Sequence, residues 1–384
     1  MVATEGPRDG KHRSGASEGA IASATAPTAG PQSSPPMSCA PPALSDAALA
    51  AALTGALQTE GRQPFEEALA AWESQPGFCS AVLRAYAAAA QLGQPERLLA
   101  VLCLKNAVTR QWNQRRDDQG RIPDAEKAAL CEALIGTLDE PDPQLWAQLE
   151  LLMAIIARLD GLAAWPALLP TLLDAACRPD PRGSARGLSA LHRVVKQQAS
   201  RRLLPHRKQF FALAAELLPR LQPLRHAHAS ALLATIAQRD ATATAAWLGA
   251  SSGGGAGDAE GVWMLRAAVA LCKLERQLLL HGWAHLHQHP EACALLGAYV
   301  ELLEATEAQQ QRLRAGSADS SSPAALEASI DATMPLLLVP AKLLMEVQDL
   351  QPLAMRDALP RAITFLLGQV THRPFSQRGE ESSD

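Results

Sequence analysis

Asparagine is almost missing from this chain of 384 residues, standing only at Asn106 and Asn113, and aromatic residues make up 4% of it. Sheets are built largely from aromatic and β-branched side chains, whereas alanine, with 75 copies, is the strongest helix former. An all-β fold is therefore excluded. The cysteines, at 39, 79, 103, 131, 177, 272 and 293, are odd in number and never spaced C-x-x-C, so neither a zinc knuckle nor a disulfide framework is indicated. Reduced thiols in a nuclear or cytosolic setting are the simplest expectation. No uninterrupted apolar run approaches the ~20 residues a bilayer span needs, and no membrane insertion is expected. Thirty-five basic against 39 acidic residues give a formal charge of −4, which argues against a protein whose main task is coating nucleic acid. Signatures of chemistry are missing too: there is no G-x-x-x-x-G-K-[ST], no G-x-S-x-G and no H-E-x-x-H. The glycines at 253–255 and 257 have no Lys-Ser/Thr after them and no strand before them. No catalytic, cofactor-binding or metal residue is assigned, and the chain is read as a non-enzyme without cofactors.

What the sequence does hold is helical periodicity with regular punctuation. Apolar residues recur three and four apart at Leu49, Leu53 and Leu57, at Leu130, Leu134 and Leu138, at Leu145, Leu149, Leu152 and Ile156, and at Phe210, Leu213, Leu217 and Leu221. Pro76-Gly77, Gly93 to Pro95, Gly120 to Pro123, Pro141 to Pro143, Gly161 to Pro166 and Pro179 to Pro181 stop one helix or start another. Paired, the segments form units over 77–120, 121–161 and 162–203, of 44, 41 and 42 residues. That is the HEAT or armadillo period. Such a unit is too small to bury its own apolar face, so neighbours must stack. The fold class expected is all-α, an α-α superhelix (a HEAT-repeat solenoid) of about seven units between Leu44 and His372.

The expected organisation is a disordered extension over 1–43, repeats 1–2 over 44–112, repeats 3–5 over 113–248, a flexible insertion over 249–261, further HEAT-type helices over 262–375, and a disordered tail over 376–384. Residues 1–36 are rich in Gly, Ala, Ser, Thr and Pro, carry three acids against three bases and have no periodicity. No apolar stretch follows their basic residues as a secretory signal requires, and Met37 is a second candidate start. Residues 315–323 read as another loop.

Three clusters are candidates for function. His281, His285, His287 and His289 have some metal-ligand spacing, but Pro290 ends the segment and no carboxylate or cysteine joins it; a polar helix end is the plainer reading. Between Pro181 and Ala215 there are eight basic residues and no acid. Arg182, Arg186, Arg193 and Lys196 share one helix face, opposite Leu188, Leu191 and Val195. This face is either simply solvated or a salt-sensitive contact for an acidic partner; nucleic acid is disfavoured because no aromatics interleave with the bases. Finally, the helix over 95–112 is apolar nearly all round at Leu98, Leu99, Val101, Leu102 and Leu104, then carries Lys105, Asn106 and Arg110.

The order Trp72-Glu73, Pro76-Gly77-Phe78, Arg97 to Asn106 (RLLAVLCLKN) and Trp112, followed by Ala157-Arg158-Leu159-Asp160 and Ala164-Trp165-Pro166-Ala167-Leu168-Leu169-Pro170, resembles the importin-β N-terminal domain. Residues 191–195, 199–203 and 207–210 resemble the importin-11 branch of that superfamily, the karyopherins, with a weaker likeness through 263–282 to about residue 375. The resemblance implies a nuclear transport receptor built of HEAT repeats, shuttling between nucleus and cytoplasm, whose amino-terminal repeats bind the GTP form of Ran. Protein cargo and nuclear-pore FG repeats would bind elsewhere along it. Matched to the family pattern, Lys105, Asn106, Arg110, Asp160, Arg186, Arg193 and Lys196 are the Ran-binding candidates. Trp165-Pro166 would be structural, filling a gap between repeats and starting a helix. Family members form longer arrays, of which this chain would hold fewer than half the repeats. A HEAT scaffold indifferent to Ran is the alternative.

Overall fold

The computed structural model describes residues 43–88, 90–113, 121–249, 260–316 and 322–372, and the readings made above for most of 1–43, for 250–259 and for 376–384 lie outside them. Among the described residues there are fifteen α-helices and no β-strand. The first eight are α1 (Asp46–Ala56), α2 (Gln63–Trp72), α3 (Phe78–Ala87), α4 (Gln94–Gln111), α5 (Asp124–Ile135), α6 (Pro143–Asp160), α7 (Leu168–Ala176) and α8 (Pro181–Ala199). They pair as the periodicity predicts, and their ends carry the expected chemistry. Ser45 caps α1 by accepting from Ala48 N–H, Asp142 accepts from the N–H groups of Gln144 and Leu145, and Asp180 accepts from Gly183. One cap comes from the neighbouring unit: Glu126 of α5 accepts from Gly77 N at 2.8 Å and Ser80 N at 2.9 Å, completing the start of α3. Gly77 itself has φ +88°, a conformation that favours glycine.

Beyond Ala199 the units lengthen. Helix α9 (Leu204–Ala237) runs 34 residues and contains Pro219 and Pro223 without ending at either. It is followed by α10 (Ala241–Trp247), α11 (Glu260–His281), α12 (Pro290–Gly316), α13 (Pro323–Thr333), α14 (Pro335–Leu350) and α15 (Leu359–His372). Helix α9 packs on α11, and α12 on α14, with short α10 and α13 packed together beside them. The described residues thus hold six such pairs together with α10, α13 and α15, where uniform periods suggested seven units. The expected division at 248 falls inside the fifth pair, and Glu260 and Gly261 belong to a helix instead of a loop.

Two layers result. First helices α1, α3 and α5 follow one another, while second helices α4, α6, α8, α11 and α14 form a continuous row in which each packs on the next. The core runs between the layers: Leu104, Leu149, Leu188, Leu217, Leu274 and Leu343 are fully buried. Trp72, Trp112 and Trp165 are also buried at unit junctions. Pro323–Leu350 is long and apolar enough, by length and composition, to cross a membrane. Here it forms two helices meeting at Met334, with α14 packed on α11 and α12.

Buried charges tie units together. Glu140, before α6, accepts from Arg97 of α4 at 2.6 Å and from the Tyr86 hydroxyl of α3. Glu275 of α11, fully buried, accepts from Tyr299 of α12 at 2.5 Å and Arg225 of α9 at 3.3 Å. Burial pushes the Glu275 carboxyl up to about 7, against the opposing pull of Arg225 and Tyr299.

The α7–α8 contact depends on a missing side chain. A Cβ at Gly187 would lie 2.4 Å from Ala176 N and 2.7 Å from the Ala175 carbonyl carbon, both backbone atoms. Gly187→Ala gains about 1 kcal/mol of helix propensity, but forcing the helices apart costs about 1–3 kcal/mol. We expect a lower melting temperature by circular dichroism; an unchanged or raised one would contradict this close approach.

Candidate functional site

The seven site candidates all fall on the second-helix row. On α4, Lys105 Nζ donates to Gln148 Oε1 of α6 at 2.8 Å, Asn106 is exposed, and Arg110 donates to both Glu73 carboxylate oxygens at 2.9 and 3.1 Å. The Arg110 side chain is 67% exposed, so that pair holds position more than it adds stability. Asp160 is exposed at the last residue of α6. Helix α6 separates the α4 residues from those on α8, so Lys105 and Arg110 form one cluster and Arg186, Arg193 and Lys196 another.

The α8 cluster lines a groove of about 630 Å³ bounded by α6, α8 and α11. As the face assignment requires, Leu188, Leu191 and Val195 are buried on the opposite side. Arg186 departs from a solvated face. It is 4% exposed, with its guanidinium 5.8 Å from the ring centre of Trp146 on α6 and 5.6 Å from that of Trp263 on α11. Its Nη2 donates to the Pro141 carbonyl at 3.2 Å. Burial, then neighbouring Arg182, holds its pKa below the usual guanidinium value. Arg193 Nε donates to Glu150 Oε1 of α6 at 2.7 Å, Ser189 Oγ donates to Glu150 Oε2, and Lys196 is exposed.

Half of this groove was not legible from the basic segment alone. Helix α11 contributes Trp263, Arg266 and Lys273, some 70 residues further along. The signal was present, because Arg266, Lys273 and Arg276 repeat the steps of seven and three found at Arg186, Arg193 and Lys196. Nothing in a linear pattern says that the two stripes face each other. Aromatics do accompany these bases, but from other helices and with covered rings: Trp146 is 6% and Trp263 8% exposed. Arg266 lies 4.6 Å from the Trp263 ring centre.

The histidine group stays dispersed in role. His289 packs on Trp283 at 5.6 Å and lies 3.7 Å from Glu291, while the His285 and His287 rings are 5.9 Å apart. Among the described residues no three His, Cys, Asp or Glu side chains converge as a metal site would need.

The fold and this charged second-helix row define the class, a helical-repeat protein whose described residues present a charged groove along one row of helices. Residues 65–140, from α2 to the turn after α5, match the importin-beta N-terminal domain. Importin-11 of Mus musculus and of Homo sapiens are each 31% identical over 242 residues, covering 63% of this chain and 23% of theirs. Importin beta-like protein kap113 of Schizosaccharomyces pombe is 31% identical over 163 residues, covering 41% of this chain and 16% of its own. These matches make the chain similar to importin-β-family proteins, importin-11 among them, and it spans about a quarter of the length of those importin-11 relatives. Two solved structures share the fold. One is Lph2, a nuclear transport receptor of S. cerevisiae (TM-score 0.57, 22% identity, 83% of this chain and 28% of that one). The other is the exportin Cse1 in its cargo-free state (TM-score 0.61, 15% identity, 86% and 32%).

The groove has one titratable reporter. Burial, then Lys273, Lys196, Arg193 and Arg276, pushes the His192 imidazole down to about 4. A histidine whose folded pKa is depressed contributes stability that is complete above about 6.5 and is lost as pH falls toward 4. Between pH 7 and 4.5 the urea midpoint is expected to fall further for the wild-type chain than for His192→Gln. Equal falls would mean that the ring is not held buried in this positive environment.

Proposed function

We propose that this chain is the GTPase-binding portion of a nuclear transport receptor, holding the GTP form of Ran on its second-helix row. The observation that carries the reading is the importin-beta N-terminal domain match over 65–140, which spans the helix bearing Lys105, Asn106 and Arg110. Lys105 and Arg110 are tied only to Gln148 and Glu73, contacts that a partner's carboxylates can replace at little cost. Asp160, Arg193 and Lys196 extend the contact along the row, while buried Arg186 acts by holding Trp146 and Trp263 in place. The receptor would shuttle between nucleus and cytoplasm, with protein cargo and FG repeats bound elsewhere on the full-length array, and would perform no covalent chemistry. Direction would come from linkage: if Ran-GTP and cargo favour different curvatures of a stacked array, each weakens the other by the same factor.

Calorimetric titration with GTP-loaded and GDP-loaded Ran tests this. The GTP form is expected to bind at least tenfold more tightly, and Lys105→Glu combined with Arg110→Glu is expected to reduce that affinity at least tenfold without altering the circular dichroism spectrum. Equal binding of both nucleotide forms would favour a Ran-indifferent HEAT scaffold instead.

A further inference from the structure

Helices α8 and α11 face each other with matched cationic stripes, and the groove between them does not stop at Lys196. That residue also lines a second groove of about 540 Å³, bordered by Arg201, Arg202, Arg207 and Trp283. Together the two grooves are lined by eight Lys or Arg residues and a single carboxylate, Glu150, which Arg193 and Ser189 already engage. Lys196, Arg202, Arg207, Arg266 and Lys273 are exposed. A concave surface lined by one sign of charge focuses its field and concentrates ligands of the opposite sign. Within the groove, burial and then four separate cations oppose protonation of His192.

We propose that this trough binds an extended acidic peptide segment of a partner protein. Its dimensions suit a strand-like chain. From Arg186 to Ala199, α8 runs about 20 Å at 1.5 Å per residue, the length of about six extended residues at 3.3 Å each. A polynucleotide suits it less well. The Trp146 and Trp263 faces that bases would stack on are buried under guanidinium groups, leaving only phosphate contacts. Arg186, stacked between these rings, adds positive charge from below without reaching the ligand. The proposal goes beyond Ran binding and does not require it: Arg193 and Lys196 also extend the Ran contact proposed above, but the Lys105 and Arg110 end of that contact lies two helices away along the row.

Fluorescence anisotropy with a fluorescein-labelled decaglutamate peptide and the full chain is the test. The expected result is saturable one-to-one binding that weakens with salt. Lys196→Glu combined with Lys273→Glu is expected to weaken it at least tenfold, whereas Lys105→Glu combined with Arg110→Glu leaves it unchanged. Should the double reversal impair folding, Lys196→Gln with Lys273→Gln removes the charge at the same exposed positions and is expected to weaken binding at least threefold. Binding equal to wild type in the folded trough variant would overturn the proposal, as would tighter binding of a labelled oligouridylate of the same charge. Neither arm involves Ran, so failure here is separate from failure of the Ran titration.

Discussion

The structure depends on incomplete burial. A pair of short helices covers only part of its own apolar surface, and what remains exposed is covered by the next pair. Helix α6 is the clearest case: it packs on α4 on one side and α8 on the other, and Leu149, Leu152, Met153 and Ala154 are all fully buried. Polar groups follow the same rule. Glu126 completes α3 from the next unit, Glu140 joins α3 and α4 from the start of another, and Glu150 reaches from α6 to α8. Each satisfies a donor that its own unit leaves unsatisfied.

Stacking also explains where the charges gather. A row of second helices, each presenting one face outward, brings together residues that are far apart in the chain. Lys105 meets Gln148, and the α8 stripe meets the α11 stripe although some 70 residues separate them in the chain. Outward residues on such a row pack little of the core, so they can carry charge at small cost to folding. Glu275, fully buried in its network with Tyr299 and Arg225, shows the expense of placing a carboxylate between the layers, since burial holds its pKa near 7.

From Pro76 to Ala199 the architecture was readable in the sequence, because each turn there is marked by proline or glycine and each unit keeps nearly the same length. The reading weakened where those marks changed meaning. Pro219 and Pro223 lie inside α9 and do not end it, as the packing of a 34-residue helix against α11 and α12 outweighs the lost backbone hydrogen bonds. Short α10, which comes between them in the chain, hid the pairing of α9 with α11. For the site, residue type and helical face were legible at Lys105, Arg193 and Lys196. The burial of Arg186 and the arrival of Trp146, Trp263, Arg266 and Lys273 were not, because they arise from contacts between units.

Hydrogen exchange resolved by helix in Leu149→Ala tests the stacking claim most directly. The lost packing is worth about 2–5 kcal/mol. The account predicts that protection falls in α6 and in its neighbours α4 and α8, and falls progressively less toward α14. A loss of equal size in every described helix would contradict it, since the chain would then be a single cooperative globule and not a stack of mutually covered units.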